Sequence, residues 1–337
     1  MSNKKTKQDT DFEIARRLTS ILSSERSSDY HTWIRVGWAL HNVDNRLFED
    51  FNRFSLKCPS KYNYEKCTEI WSAAKDHGYT IASLHLWAKQ DDPQAYTRIM
   101  REFTFKIVDS SEIKTHNDVA KLVCDMYHHC FRCTSITSKT WYEFKNHRWI
   151  RVDKAYSLSL RIFEEVRRYL MYIGSFYGAN AAMYQEGPEL DYKSKKGQNI
   201  MKLADNLGDQ KYKEHILAAC AERFYDSEFE KKLDDNVYLI GFDNGVYDLK
   251  EGQFRPGVPD DYLTLSVGYN YQEFNESDTI IQEIEDFFRT VQPEEDMRKY
   301  VLTLLSSYLD GRNRDQKFIL WTGSGCHEKD TKILMYD

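Results

Sequence analysis

The chain has 337 residues, of which 41% are hydrophobic and 30% charged, and its formal net charge is −6 at pH 7. No run approaches the ~18 consecutive apolar residues of a membrane-spanning helix, and the polar first residues hold no apolar segment typical of a signal peptide. The net acidity excludes a global attraction to nucleic acid, so such contact requires a local basic patch, and seven cysteines without a secretory signal favour reduced thiols inside a cell.

Apolar residues recur at helical spacing in the first part of the chain. A first helix is predicted from Phe12, and four more follow, starting near Tyr30, Leu47, Tyr64 and Ile81. We therefore predict a disordered tail over 1–11 and a compact all-helical bundle over 12–92.

Short segments of this bundle resemble a known module. They are WIRVGWAL at 33–40, FS at 54–55, KY at 61–62, Trp71 and TIASL at 80–84. Together they look like the small helical domain that follows the catalytic core in many viral and plasmid primases. In those proteins a primase domain with metal-binding carboxylates precedes the helical module. In this sequence only about ten residues precede it. Because of this departure from the family pattern, we do not expect primer synthesis by this chain.

Asp91-Asp92-Pro93 interrupts the helical pattern, and the polar stretch over 93–115 is predicted to be a linker. Asn117 is suited to cap the first helix of an α+β domain over 116–315. Cys130 and Cys133 in that domain have the C-x-x-C spacing of many zinc sites. Because no distant ligand pair completes a tetrahedral set, buried thiols are the preferred interpretation and no metal site is assigned.

A β-hairpin is predicted from WYEF at 141–144 and RWIRV at 148–152, joined by a turn-forming asparagine. Basic residues outnumber acidic ones eight to four over 139–168. Basic residues among aromatics can hold a nucleic-acid backbone while bases stack, although alternating aromatics on a hairpin more often form packing pairs. The residues predicted to contact nucleic acid are Arg148, Arg151, Arg167 and Arg168.

Helices are predicted over 157–172 and 210–223, and the basic run YKSKKG at 192–197 is predicted to be a mobile loop. Farther on, VYLIGFDNGVYDL at 237–249 predicts two short strands around an Asn-Gly turn. Asp243 and Asp248 in this run are interpreted as turn and strand-end residues rather than catalytic ones.

Several segments resemble the domain that precedes the ATPase in poxvirus-type primase-helicases. They are WYEF at 141–144, HRW at 147–149, NGVYDL at 244–249, FRPG at 254–257 and DDY at 260–262. The resemblance implies a DNA-replication protein at a viral replication site in the host cytoplasm or nucleus.

Two predicted helices, capped near Asp278 and Glu294, lead to an apolar strand at 318–321 and the glycine loop Gly323-Ser324-Gly325. The run WTGSG at 321–325 resembles the start of the ATPase of superfamily III helicases. A P-loop reads G-x-x-x-x-G-K-[ST], and the lysine and hydroxyl residue that should follow are missing here. Residues 316–325 are therefore predicted to be the start of a P-loop ATPase, in which only the amides of Gly323, Ser324 and Gly325 are available for phosphate. ATP and Mg²⁺ are therefore expected in a complete parent protein and neither in this chain.

The last segment, CHEKDTKILMYD at 326–337, resembles the first block of an intein inserted in that P-loop. Cys326 would then be the splicing nucleophile and Gly325 the acyl donor, because a thiolate attacks the preceding carbonyl more readily than a hydroxyl does. The alternative is an ordinary tail with a chance cysteine.

The predicted fold class is mixed: an all-α helical bundle followed by an α+β domain, ending at the first strand of a truncated P-loop ATPase. The leading hypothesis is the N-terminal part of a viral-type replication helicase that binds DNA, single-stranded or forked, or organises a ring without catalysis of its own. The resemblance implies a homo-hexamer for the complete parent and no membrane partner. Two alternatives are a stand-alone nucleic-acid-binding or assembly module, and the N-terminal half of a split intein-containing helicase completed by a C-terminal half.

Overall fold

The computed structural model describes residues 7–74, 78–111, 113–184 and 186–309. These residues fall into two compact units. The first unit runs to Asp235 and also includes Gly257–Leu265, and the second comprises Asn236–Pro256 and the residues from Ser266 onward. No helix within the described part of the chain is long and apolar enough to cross a membrane.

The first unit begins with a helical bundle, as predicted. Its helices are α1 (Lys7–Ser20), α2 (Ser24–Ser28), α3 (Tyr30–Val43), α4 (Phe48–Ser55), α5 (Tyr64–Ala73) and α6 (Ile81–Asp91). Polar caps define several starts, since the side chains of Asp29, Asn63 and Thr80 each accept a hydrogen bond from the first turn. Fully buried Leu18 and Leu40 lie in the core of this bundle.

Two predictions about boundaries are corrected here. Residues 7–11, predicted to belong to a disordered tail, form the first turn of α1. The stretch predicted to be a linker contains an 18-residue helix, α7 (Pro93–Ser110), which Asp92 caps at its N-terminus. Ile99 of α7 is buried in the core of the bundle, whereas Val108 is buried in the core that follows. The sequence pattern does not predict this helix, because its apolar residues are interspersed with polar ones and follow Asp92-Pro93, which is typical of a helix break.

The second core of this unit is built on α8 (His116–Tyr127) and a three-stranded antiparallel sheet. The strands are β1 (Phe131–Ser135), β2 (Thr140–Lys145) and β3 (Arg148–Asp153), in the order β1-β2-β3. The predicted hairpin is confirmed. Its turn residues Asn146 and His147 have φ of 51° and 66°, a left-handed pair whose twist matches that of the strands it joins.

Four helices complete this core: α9 (Tyr156–Arg161), α10 (Arg167–Ala181), α11 (Pro188–Asn206) and α12 (Gln210–Arg223). The short α13 (Phe229–Lys232) follows. One π-helical turn, Ile162–Val166, joins α9 to α10. The predicted mobile basic loop at 192–197 is wrong, because these residues lie inside α11. A Cβ on Gly197 would lie 3.1 Å from the carbonyl oxygen of Gly174 on α10, so the glycines allow α10 and α11 to pack closely.

The second unit contains an antiparallel sheet and two helices. The strands are β4 (Leu239–Phe242), β5 (Gly245–Asp248) and β6 (Gln253–Arg255), and the helices are α14 (Thr279–Val291) and α15 (Glu295–Ser307). The strand order β4-β5-β6 follows the chain. Phe288, Val301 and Leu305 form the small buried cluster of the helices. Asp243 and Asp248 lie at a turn and a strand end, as predicted, and Asp248 contacts Arg255 at 3.6 Å.

Candidate nucleic-acid interface

Arg148 and Arg151 lie on the two opposite faces of the β2–β3 hairpin. Arg148 is paired with Lys145, and Arg151 is paired with Tyr142. Because side chains alternate between the faces of a strand, an odd separation of three positions places the two guanidinium groups on different sides. Arg151 is exposed. The hairpin therefore does not present these two arginines as one basic patch.

Arg167 is engaged within the fold. Its Nε donates a hydrogen bond of 3.1 Å to the carbonyl of Ala204 in the last turn of α11, and its guanidinium lies 5.4 Å from the ring centroid of Phe163. A cation at a helix C-terminus is stabilised there by the unpaired carbonyls and the helix dipole. Arg168, by contrast, is exposed. Of the four predicted arginines, Arg151 and Arg168 are thus exposed, whereas Arg148 and Arg167 are half-buried.

Sequence reasoning missed a surface on α10 and α11 where cations lie against exposed aromatic rings. The ammonium of Lys193 lies 4.4 Å from the ring centroid of Tyr184, and that of Lys196 lies 5.5 Å from that of Tyr192. Arg101 of α7 lies 4.9 Å from the ring of Tyr172. We call the surface formed by these cations and rings the α10–α11 surface. Phe176 of α10 and Lys195 and Lys202 of α11 are also exposed.

The α10–α11 surface has the residue types that bind single-stranded nucleic acid, namely exposed rings for stacking and lysines for phosphates. The lysines of α11 differ in how far intramolecular hydrogen bonds engage them. Lys196 donates to the Asp109 carbonyl at 2.8 Å and to the Asp109 carboxylate at 3.2 Å, whereas Lys195 and Lys202 are exposed. The run YKSKKG is the signal in the sequence for this surface, and its lysines have helical spacing because the run lies inside α11.

The remaining predicted site residues, Gly323, Ser324, Gly325 and Cys326, lie outside the described residues. The cysteines near β1 are placed: Cys130 and Cys133 are buried, and burial raises the pKa of the Cys130 thiol to about 11. Within the described residues there is no group of three or more His, Cys, Asp and Glu side chains that could hold a metal ion.

Two protein-family models match this chain, one over residues 120–292 and one over residues 15–88. A model described as "D5 N terminal like" matches residues 120–292, which is about half of the chain. The chain belongs to the D5 N terminal like family. A second model, "Primase C terminal 2 (PriCT-2)", matches residues 15–88, the helical bundle.

Curated relatives from large DNA viruses match nearly the whole chain. A protein of Acanthamoeba polyphaga mimivirus named as a putative helicase is 38% identical over 331 residues, covering 96% of this chain and 34% of the relative. One of Invertebrate iridescent virus 3 with the same description is 24% identical, covering 96% and 38%. An African swine fever virus protein named as a putative primase is 22% identical, covering 95% and 36%. The chain thus spans about a third of the length of these relatives.

The region matched by the D5 N terminal like family contains a buried ion pair. Arg161 of α9 bonds Glu143 of β2 at 2.6 Å, and the carboxylate is only 9% exposed. The guanidinium also lies 5.1 Å from the ring of Phe131 and 5.6 Å from that of Tyr127. Aromatic rings and a carboxylate therefore enclose this cation, so it is part of the structure and is not a contact for nucleic acid.

Two histidines join the PriCT-2 region to the D5 N terminal like region. The imidazoles of His85 on α6 and His129 stack with centroids 4.0 Å apart and planes 6° from parallel. His85 Nδ1 is 3.0 Å from the Tyr96 hydroxyl. Burial lowers the pKa of His85 to about 3 and lowers that of His129 as well. Both rings are neutral at pH 7, which allows them to stack without charge repulsion.

Proposed function

We propose that this chain is part of a primase-helicase-type DNA replication protein of large DNA viruses, acting at the viral replication site. The observation that carries the proposal is the order of two family matches, PriCT-2 over 15–88 and D5 N terminal like over 120–292, in one chain. Relatives named as helicases or primases align with 95–96% of it. Within that protein the described domains bind or position single-stranded or forked DNA, or organise the ring, without catalysing a reaction.

The described surfaces support a local rather than a global contact with DNA. The chain carries a net charge of −6, so a phosphate backbone is attracted only where cations cluster. Arg151 and Arg168 supply exposed cations, and the α10–α11 surface supplies cations beside exposed rings. Phosphate contacts provide affinity that salt weakens, and stacking adds a contribution that does not depend on base sequence.

The proposal extends to the complete protein. There, ATP and Mg²⁺ are expected at a P-loop to which Gly323, Ser324 and Gly325 contribute backbone amides, and a homo-hexamer is the expected assembly. The charge of the nucleotide requires a lysine and a hydroxyl residue that follow such a loop in the P-loop motif. These residues would come from the part of the protein that the chain does not span.

The test measures fluorescence anisotropy of labelled single-stranded, forked and duplex DNA with the full chain at rising salt. We expect binding at low salt and a log-linear loss of affinity as salt increases. Arg151→Gln combined with Arg168→Gln is expected to weaken binding and to reduce the salt slope by about one per lost phosphate contact. Arg289→Gln, at an exposed position of α14 in the other unit, is the matched control. Absence of binding at low salt would overturn the DNA-binding proposal.

We also propose that Cys326 begins an intein that interrupts the P-loop, with Gly325 as the acyl donor. The motif CHEKDTKILMYD and its position directly after WTGSG support this. The sequence downstream of Asp337 tests whether Cys326 begins an intein. It should end the intein in His-Asn and continue with a hydroxyl or thiol residue and Asn-Gly-Lys-Ser or similar, and mass spectrometry of the expressed gene should find the peptide that joins Gly325 to that continuation. A continuation without these features would remove the intein.

A further inference from the structure

Residues of the PriCT-2 region that are far apart in sequence line one pocket. A cavity of about 270 Å³ lies between the start of α3, the end of α4 and the start of α5. Trp33, Ser55, Lys61 and Tyr62 line it, and these are among the residues that carried the resemblance to primases. Most of them are polar or half-exposed, so a requirement for core packing does not by itself explain why they face one cavity.

The pocket has an ordered aromatic floor. The indole of Trp33 stacks on Phe51 with centroids 5.4 Å apart, and its Nε1 donates a 2.7 Å hydrogen bond to Ser55 Oγ. The Tyr62 hydroxyl donates to Asn52 Oδ1 at 2.8 Å. Because these bonds hold both rings in place, the rings lose little freedom when a flat ligand binds, which favours affinity.

The rim of the pocket is aromatic and basic. Tyr30 is 54% exposed, and its ring centroid is 6.0 Å from that of Trp33 at an angle of 44°. The lining includes two lysines, Lys61 and Lys66, and no carboxylate. Lys61 donates to the carbonyl of Ser28 at 2.7 Å, which leaves two of its three N–H donors for a ligand. Lys66 pairs with exposed Glu69, and an exposed pair of this kind is weak.

We propose that this pocket binds one unpaired base of a single-stranded nucleic acid together with its phosphate. The exposed ring of Tyr30 stacks on the base above the Trp33 floor, and Lys61 and Lys66 contact the phosphate. The cavity is at the small end for ligand sites, so it admits one base and excludes a base pair. The inference rests on the proposed function and deepens it, since it names the form of nucleic acid and a further set of residues that contacts it.

The test uses the full chain and a fluorescein-labelled oligothymidylate, alone and annealed to its complement. Tyr30→Ala should weaken single-strand binding about tenfold, in keeping with the loss of one stacked base, while Tyr30→Phe should bind like the parent. Lys61→Glu should weaken it comparably. Lys106→Glu, at a 66% exposed lysine of α7, is the charge control. Tyr30 is exposed, so its variants are expected to fold, and circular dichroism checks this.

A second readout locates the contact. An oligonucleotide carrying 5-iododeoxyuridine, irradiated in the complex, should crosslink to a peptide containing Tyr30 or Trp33. If the chain binds DNA but Tyr30→Ala and Lys61→Glu change nothing and the crosslinks lie elsewhere, this inference fails and the proposed function stands. If thymidine monophosphate binds and the oligonucleotide does not, the pocket serves free nucleotides and the inference is overturned. Absence of any DNA binding would overturn both.

Discussion

The carboxylate of Asp260 accepts two hydrogen bonds from Thr80, one from its backbone amide at 3.0 Å and one from its hydroxyl at 2.8 Å, across 180 positions of sequence. Ser83 donates a third, at 2.6 Å. Thr80 is the N-cap of α6. A residue of the D5 N terminal like region therefore supplies the acceptor for N–H and hydroxyl groups at the start of a helix in the PriCT-2 region.

Replacing Asp260 by Ala should lower the free energy of unfolding by about 2 kcal/mol, because Thr80 and Ser83 lose a buried acceptor. Urea denaturation at pH 7 measures this. The control is Asp235→Ala, at an exposed carboxylate, which should stay within about 0.5 kcal/mol of the parent. Equal effects of the two variants would show that the Asp260 contacts do not stabilise the first unit.

Burial raises the pKa of Asp260 from 3.8 to about 6. This effect of burial outweighs the hydrogen bonds from Ser83 and Thr80, which lower the pKa. The unfolded chain therefore releases this proton at lower pH than the folded chain, so the contribution of Asp260 to stability is largest below pH 4 and falls as the pH rises to about 6. Measured against Asp260→Asn, the stability of the parent should decline by on the order of 2 kcal/mol across this range. A constant difference between the two proteins would contradict the prediction.

The stacked pair of His85 and His129 should give the opposite pH dependence. Because burial lowers the pKa of His85 to about 3, the unfolded chain takes up a proton near pH 6.5 that the folded chain does not. Its stabilising contribution is complete above pH 6.5 and is lost as the pH falls, by about 2 kcal/mol between pH 7 and 5. His85→Phe keeps a ring against His129 and should reduce this loss. His215→Phe, at an exposed position, should leave it unchanged.

The close packing of α10 against α11 depends more on Gly197 than on Gly178. A Cβ at Gly197 would meet Gly174 O at 3.1 Å and the Gly178 backbone nitrogen at 3.2 Å, neither of which can rotate away. We expect Gly197→Ala to destabilise the protein by about 1–3 kcal/mol through overpacking. Gly178→Ala, whose Cβ would meet nothing within 4 Å, should be neutral or should stabilise by up to about 1 kcal/mol. Thermal denaturation of the two variants distinguishes them.

Breaking the buried pair of Arg161 and Glu143 should be costly. Glu143→Ala leaves the enclosed guanidinium without its carboxylate, and we expect a loss of about 3 kcal/mol in the free energy of unfolding. Glu228→Ala removes the carboxylate of an exposed pair with Lys231 and should cost at most about 0.5 kcal/mol. Denaturant titrations of both variants provide the comparison, and similar losses would show that burial adds nothing to the Glu143 pair.

Local sequence determined much of the secondary structure. The bundle, the β2–β3 hairpin and α12 follow from apolar periodicity and turn chemistry, which act over a few residues. Where a helix follows a helix-breaking proline, as α7 does, or is rich in lysine and contains a glycine, as α11 is, the same reasoning missed it. There the helix is stabilised by packing against elements far away in sequence.

The family resemblance and the residue types for nucleic-acid contact can be read from the amino-acid sequence, since motifs such as WIRVGWAL and NGVYDL are contiguous. Which of those residues act together depends on the tertiary structure. It placed Arg148 and Arg151 on opposite faces of one hairpin, engaged Arg167 at the end of α11, and brought Tyr30, Trp33 and Lys61 to one pocket. The physical reason is that the direction of a side chain depends on strand parity, helix phase and long-range packing, none of which a short motif specifies.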